Sequence, residues 1–159
     1  LYNGETYSWF NEAFHLVKQF STEGSYRLFP DRISLPTTIS NGKQIEIAHR
    51  WNNSGWGYCP TNIPQWKNKY KVAFALLDVK DDKPEYVFVD GEPEACDWVK
   101  GTAKSYMFTT QIKGVRAGKY MWAVGIVDTT KQNEIGIRLA VKNNVTSAGW
   151  LKLFEVSVR

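Results

Sequence analysis

The sequence predicts an all-β protein, a two-sheet antiparallel β-sandwich of immunoglobulin or jelly-roll type with one short N-terminal helix. Three observations carry this expectation. Short apolar or alternating runs recur after Gly24, Asn, Asp, Gly and Pro punctuate them at nearly every junction, and a helical period appears once, between Asn11 and Phe20. A chain of 159 residues buries roughly two thirds of its unfolded surface on folding, enough for one self-sufficient core. The expected organisation is an N-terminal segment over 1–24, carrying the helix, followed by the sandwich over 25–159.

In order, Leu1 to Phe10 reads as an extended aromatic stretch. Asn11 then serves as an N-cap, Glu12 sits in the first turn, and Ala13, Leu16, Val17 and Phe20 fall on one helical face. Strands are expected over Tyr26 to Ser34, Gln44 to Trp51, Tyr70 to Val79, Tyr86 to Val89, Ser105 to Ile112, Gly118 to Asp128, Glu134 to Lys142 and Trp150 to Val158. Between them lie Pro36, Asn41-Gly42, Pro60, Pro64, Asp81-Asp82, Asp90-Gly91, Gly114, Thr129-Thr130 and Asn143-Asn144. These residues suit turns because they fix φ, tolerate positive φ or bond their own backbone.

Strand parity predicts the faces. Val72, Phe74 and Leu76, then Tyr120, Trp122, Val124 and Ile126, then Ile135, Ile137, Leu139 and Val141 share an inner face. The opposite parity is small: Ala73, Ala75, Ala123, Gly125, Gly136 and Ala140. A face of Ala and Gly is shallow and apolar, so the expectation is that something covers it, with the helix bearing Phe14 and Phe20 as the nearest candidate.

Composition excludes several classes. Charged residues are 23% and apolar residues 43% of the chain, which fits neither a disordered nor a fibrous protein. No apolar run approaches the roughly 20 residues that span a bilayer, and the start lacks a signal-peptide pattern. The expectation is therefore a soluble chain, or a mature or excised piece, with no membrane partner. Net charge is +4, but Lys and Arg are scattered among Asp and Glu, so nucleic acid is not an expected partner either. The loop settings of Cys59 and Cys96 favour a disulfide in an oxidising compartment, or leave two plain thiols in a reducing one.

Aromatic residues reach 14%, with seven tryptophans, and the most concentrated stretch begins at Ile45. Ile45 to Trp51 alternates as a half-buried strand, after which Asn52-Asn53-Ser54-Gly55 signals a turn and places Trp56 and Tyr58 between glycines and Pro60. Trp66 follows on the same connection. The apolar face of a sugar ring stacks on an aromatic plane while its hydroxyls need polar partners, and Asn53, Asn62, Gln65 and Lys67 are at hand. Trp56, Tyr58, Trp66, Asn53, Gln65 and Trp98 are the candidate carbohydrate-binding residues, with Trp66 favoured because Pro64-Gln65-Trp66-Lys67 offers it no apolar neighbour. The competing reading makes these rings plugs at the open end of the sandwich, and Trp98, inside Cys96-Asp97-Trp98-Val99, has the same ambiguity. Trp51, Trp122 and Trp150 read as core, and Trp9 as packing beneath the helix.

An ordered set of short motifs runs through the chain: Tyr7-Ser8-Trp9-Phe10-Asn11, Tyr26-Arg27, Leu35-Pro36, Trp51-Asn52-Asn53 leading to Cys59-Pro60, Asp97-Trp98, Ala117-Gly118-Lys119-Tyr120, Arg138-Leu139-Ala140 and Gly149-Trp150. Together they resemble the C-terminal β-sandwich domain, long catalogued as of unknown function, that follows glycoside-hydrolase-like (β/α)8 barrels in secreted bacterial proteins. The stretch from Gly57 to Lys69 is longer than that family's pattern. The resemblance implies a secreted or cell-surface bacterial protein, a catalytic glycoside-hydrolase domain on the same parent chain, a junction with that barrel over Tyr7 to Gly24, and an accessory role for this piece. It supplies no ligand site, and because Asp97-Trp98 belongs to the shared set it implies a structural plug at Trp98.

Catalytic constellations are not expected. His15 and His49 lie far apart without a nucleophile motif, and the carboxylates Asp78, Asp81, Asp82, Glu85, Asp90, Glu92, Glu94 and Asp97 fall in turns, where a solvated rim is the ordinary reading. Those carboxylates could hold a structural calcium ion, although no EF-hand spacing is present and no other cofactor is expected. Two functions follow as expectations: a non-catalytic carbohydrate-binding module that takes a polysaccharide or oligosaccharide by aromatic stacking, or a structural accessory domain that braces a glycoside-hydrolase barrel.

Overall fold

The computed structural model describes the backbone of residues 6–10 and all of residues 25–159. Strands dominate: β1 (Thr6–Phe10), β2 (Leu28–Pro36), β3 (Thr38–Ile39), β4 (Gln44–Asn53), β5 (Tyr70–Asp78), β6 (Pro84–Asp90), β7 (Lys104–Gln111), β8 (Gly118–Asp128), β9 (Glu134–Ile137) and β10 (Leu151–Val158). They form a four-stranded sheet in the order β1-β2-β4-β7 and a six-stranded sheet in the order β3-β10-β8-β5-β6, with β9 also on β8. Pairing is antiparallel except for β3 on β10, which run parallel. The helical elements among the described residues are two 3-10 turns, Pro64–Trp66 and Ala95–Asp97. The helix expected over Asn11 to Phe20 lies outside the described residues, as does its docking through Phe14 or Phe20.

Thr6–Phe10 of the expected junction is an edge strand of the four-stranded sheet, Trp9 pairing with Ile33. Turn chemistry follows the sequence: Gly42, Asp82 and Asn144 take positive φ at 83°, 60° and 62°.

The two sheets have different burial signatures. On β4 burial alternates, with Ile45, Ile47, His49 and Trp51 inward. Residues Lys71 to Leu77 of β5 are buried without interruption, because that strand is central and covered on both faces. The core between the sheets gathers Val72, Phe74 and Leu76 from β5 and Tyr120, Trp122, Val124 and Ile126 from β8 against Ile33, Leu35, Ile47 and Trp51. The Ala/Gly parity forms a second apolar layer of Ala73, Ala75, Leu77, Ala123, Val127 and Trp150. Gly125 shows why the face is small: a Cβ there would lie 2.3 Å from Ile135 Cδ1 and 3.4 Å from the Trp150 ring. Trp150 is core as expected, but its layer is the outer one.

Ile135 departs from the expected inner face. The register slips between Ile126–Ile137 and Val127–Ile135, so the intervening Gly136 puts Ile135 on the outer layer while Ile137 stays inside. A one-residue slip reverses side-chain direction. The strand expected to reach Lys142 stops at Ile137, and Ala140 N–H donates instead to Leu28 O (2.9 Å).

Candidate functional site

Because β4 and β7 are antiparallel neighbours, the connection leaving β4 and the one entering β7 meet at one end of the sandwich; Trp51 pairs with Lys104 there. Asn53, the last residue of β4, joins them. Its Oδ1 accepts the N–H groups of Arg27 and Gly55 (both 2.9 Å), and its Nδ2 donates to Gly57 O (2.7 Å) and Trp98 O (3.0 Å). The side chain is buried, with both its oxygen and its amide occupied. Asn53 therefore shapes the loop and has no group left to offer a sugar, which corrects its place among the expected ligand contacts.

Gly55 allows that shape. A Cβ at this position would sit 1.8 Å from Ser25 O, so the turn closes only with glycine. Immediately after it, Trp56 is 73% exposed and Tyr58 51% exposed. Lys100 Nζ lies 4.3 Å from the Trp56 ring centroid, in cation–π range, and brings an ammonium donor to the ring. The second connection is tied to the first again where Cys96 N–H donates to Thr61 Oγ1 (3.0 Å).

Trp66 behaves differently from Trp56. It ends the Pro64–Trp66 turn half-buried, with its ring edge-on to Tyr70 at 4.9 Å and 73°. It does have an aromatic neighbour, which corrects the reasoning that favoured it. Gln65, Asn62 and Lys67 are exposed on the same connection. Trp98 is fully buried and stacked on Trp51 at 4.9 Å and 11°, so neither face is open to a ligand.

A polar network that sequence reasoning missed lies beneath. Trp51 Nε1–H donates to His49 Nδ1 (2.8 Å), so the ring hydrogen sits on Nε2, which donates to Asp90 Oδ2 (2.9 Å). The His49 and Asp90 side chains are 0% and 6% exposed. Asp90 Oδ1 accepts Glu92 N–H (3.0 Å), and Trp98 Nε1–H donates to the Tyr106 hydroxyl (2.7 Å), whose ring stacks on His49 at 5.4 Å. Burial pushes the Tyr106 phenol above its ordinary range, ahead of the opposing Trp98 bond. The pair resembles half of a hydrolytic triad, but both imidazole nitrogens are occupied and no water-accessible face remains. Its role is to satisfy polar groups inside an aromatic core. Alternation in Ile45 to Trp51 puts His49 inward, but its partner Asp90 lies on another sheet and had been assigned to a solvated rim.

The other carboxylates disperse as well. Asp78 and Asp81 accept backbone N–H groups of Lys80 and Lys83, Asp82 pairs with Lys152, and Glu94 pairs with the buried Lys71. Among the described residues no group of three His, Cys, Asp or Glu side chains is arranged to hold a metal ion, so the calcium expectation finds no site there. Cys59 and Cys96 are free thiols rather than a bridge. Burial pushes the Cys59 thiol up from 9.0 to about 12, against a hydrogen bond with Tyr26.

No protein-family model matches the sequence, and no curated protein matches it. Among solved structures, a Niemann-Pick type C2 protein from the Japanese carpenter ant aligns with a TM-score of 0.45 and 8% identity, over 77% of this chain and 79% of that one. The CARDB domain of the PF1109 protein from Pyrococcus furiosus, solved with di-metal ions, aligns with a TM-score of 0.45 and 14% identity, over 87% and 97%. A β-glucosidase from Listeria innocua in complex with glucose aligns with a TM-score of 0.41 and 16% identity over 84% of this chain, which spans only 16% of that enzyme. The two-sheet architecture rests on its own strand pairing, and these likenesses carry no argument about function.

Proposed function

We propose that the domain is a non-catalytic carbohydrate-binding module that holds a parent glycoside hydrolase on a neutral polysaccharide, with Trp56 and Tyr58 as its stacking rings. The observation that carries this is Trp56, a large apolar ring 73% exposed on a turn whose backbone Asn53 and Gly55 lock in place. A ring fixed in place in solvent loses little entropy when a sugar stacks on it. Lys100 brings a donor to the Trp56 ring, and Asn62 and Gln65 are exposed further along the same connection. The ordered motifs resembling an accessory domain of sugar-degrading enzymes support the same reading. Its effect on the parent enzyme would be a raised effective concentration of substrate. At Gly125 the small-residue face lies against Ile135 and Trp150 of the same chain, so the face needs no outside partner there.

The test is affinity electrophoresis through gels containing plant and algal polysaccharides, wild type beside Trp56→Ala. Retardation of the wild type by at least one neutral glycan, lost in the variant while the melting temperature holds, is the expected result. Equal mobility of both proteins in every gel overturns the proposal.

A further inference from the structure

The outer face of the four-stranded sheet carries an unusual pair. Arg32 on β2 and Arg50 on β4 are direct cross-strand partners, and Ser105 on β7 stands opposite Arg50 in the same row. Like charges placed directly opposite one another repel and destabilise a sheet. One of the two is offset: Arg50 Nε–H donates to Asp31 Oδ1 (2.7 Å) and its Nη2 to Asp31 Oδ2 (3.1 Å). That fork holds the guanidinium in place and uses only part of its donor set. Arg32 is exposed, and among the described residues no carboxylate pairs with it.

The next row is low. Ser34 pairs with Ala48, and the small side chains leave a trough of about 220 Å³ lined by Arg32, Arg50 and Ser105 beside them, with His49 and Tyr106 completing the lining. Met107, the partner of Ala48 on β7, is 54% exposed beside it. The trough is smaller than the roughly 300–1,000 Å³ of drug-sized sites, so its scale suits one ring. Two guanidiniums at one wall, hydroxyls from Ser34 and Ser105, and an apolar floor at Ala48 match a ring with one carboxylate and several hydroxyls.

We propose that this trough is a second binding site, separate from the Trp56 loop, for a carboxylate-bearing sugar such as a uronic acid residue. Arg32 makes the new ion pair, Arg50 donates its remaining N–H groups, and the serines take ring hydroxyls. The anion would also relieve the Arg32–Arg50 repulsion, so binding and local stability rise together. The choice of a sugar acid over other carboxylates rests on the carbohydrate reading above; the anion site itself rests on the arginine pair.

The experiment is a titration of the 15N-labelled protein with glucuronate, glucose and acetate, followed by backbone amide shifts. Glucuronate is expected to move the amides of Ser34, Ala48, Arg50 and Ser105, and Arg32→Gln to weaken that response by about tenfold, the worth of one charge-assisted bond. Trp56→Ala should leave it intact, which separates failure of this site from failure of the loop. Absence of shifts in the trough at millimolar glucuronate overturns the site. Equal shifts with acetate overturn the sugar assignment, and shifts confined to residues 54–66 place any acid sugar on the loop instead.

Discussion

The Trp51–Trp98 stack and the Trp56–Tyr58 turn are neighbours in sequence and space, joined by one asparagine, yet they have opposite fates. Trp51 and Trp98 lie parallel in the core, with their indole N–H groups donating to His49 and the Tyr106 hydroxyl. Trp56 stands out in solvent with Lys100 over its ring. Asn53 binds both, through Trp98 O on one side and Gly57 O on the other. A buried indole needs an acceptor for its N–H as well as apolar contact. The network supplies acceptors below the turn, and the glycine-locked turn carries its ring beyond their reach. The lesson is that a rigid core of rings makes a rigid base for an exposed one.

The sharpest way to break this comparison is to remove one ring from each side. Trp98→Ala should cost about 3–5 kcal/mol, because it deletes a fully buried ring and leaves the Tyr106 hydroxyl without its donor. Urea denaturation reads this as a large fall in midpoint. Asn53→Ala comes next, at roughly 2–3 kcal/mol, since buried N–H and C=O groups of both connections lose their partner. Glycan retardation should weaken with it, because the turn no longer holds its shape. A variant that kept full stability would show that the asparagine is not the joint between the two regions.

Trp56→Ala should change stability by no more than about 0.5 kcal/mol, as for other exposed side chains. Its effect belongs to binding, where one stacked ring contributes on the order of 1–3 kcal/mol by analogy with bases on aromatic platforms, or about tenfold or more in affinity. Titration calorimetry against the retarding glycan reads it directly. A loss of stability as large as that of Trp98→Ala would erase the distinction between the two regions.

A pH-dependent effect is set at the root of the loop. Burial holds the Cys59 thiol neutral, its pKa raised from 9.0 to about 12. The folded value lies above the unfolded one, so its contribution is whole below about pH 9 and is lost as pH rises toward 12. Urea midpoints from about pH 8 to pH 11 should decline less steeply in Cys59→Ala than in the wild type. In the native protein at neutral pH a thiol reagent should modify the half-buried Cys96 first and Cys59 only on unfolding.

The alternation in Ile45 to Trp51, the uninterrupted apolar run of β5 and the turn residues at Gly42, Asp82 and Asn144 were sufficient to read an all-β chain, because each is a local property of the backbone. The rings at 56 and 58 were legible as loop residues for the same reason. Their neighbours were not: nothing local tells Trp98 from Trp56, since both sit in irregular connections between strands, and only the approach of β4 to β7 buries one and leaves the other in water. Ile135 shows the same limit, its parity reversed by a register slip that depends on pairing with β8. The His49–Asp90 pair joins residues from different sheets, and the Arg32–Arg50 trough exists only in the register of β2 on β4. What the sequence by itself determined was the period of most strands and the place of most turns, with the strand from Glu134 ending at Ile137 instead of Lys142 as the exception. Tertiary structure alone decided which rings, charges and small residues meet, because burial and electrostatic pairing depend on distances between segments far apart in the chain.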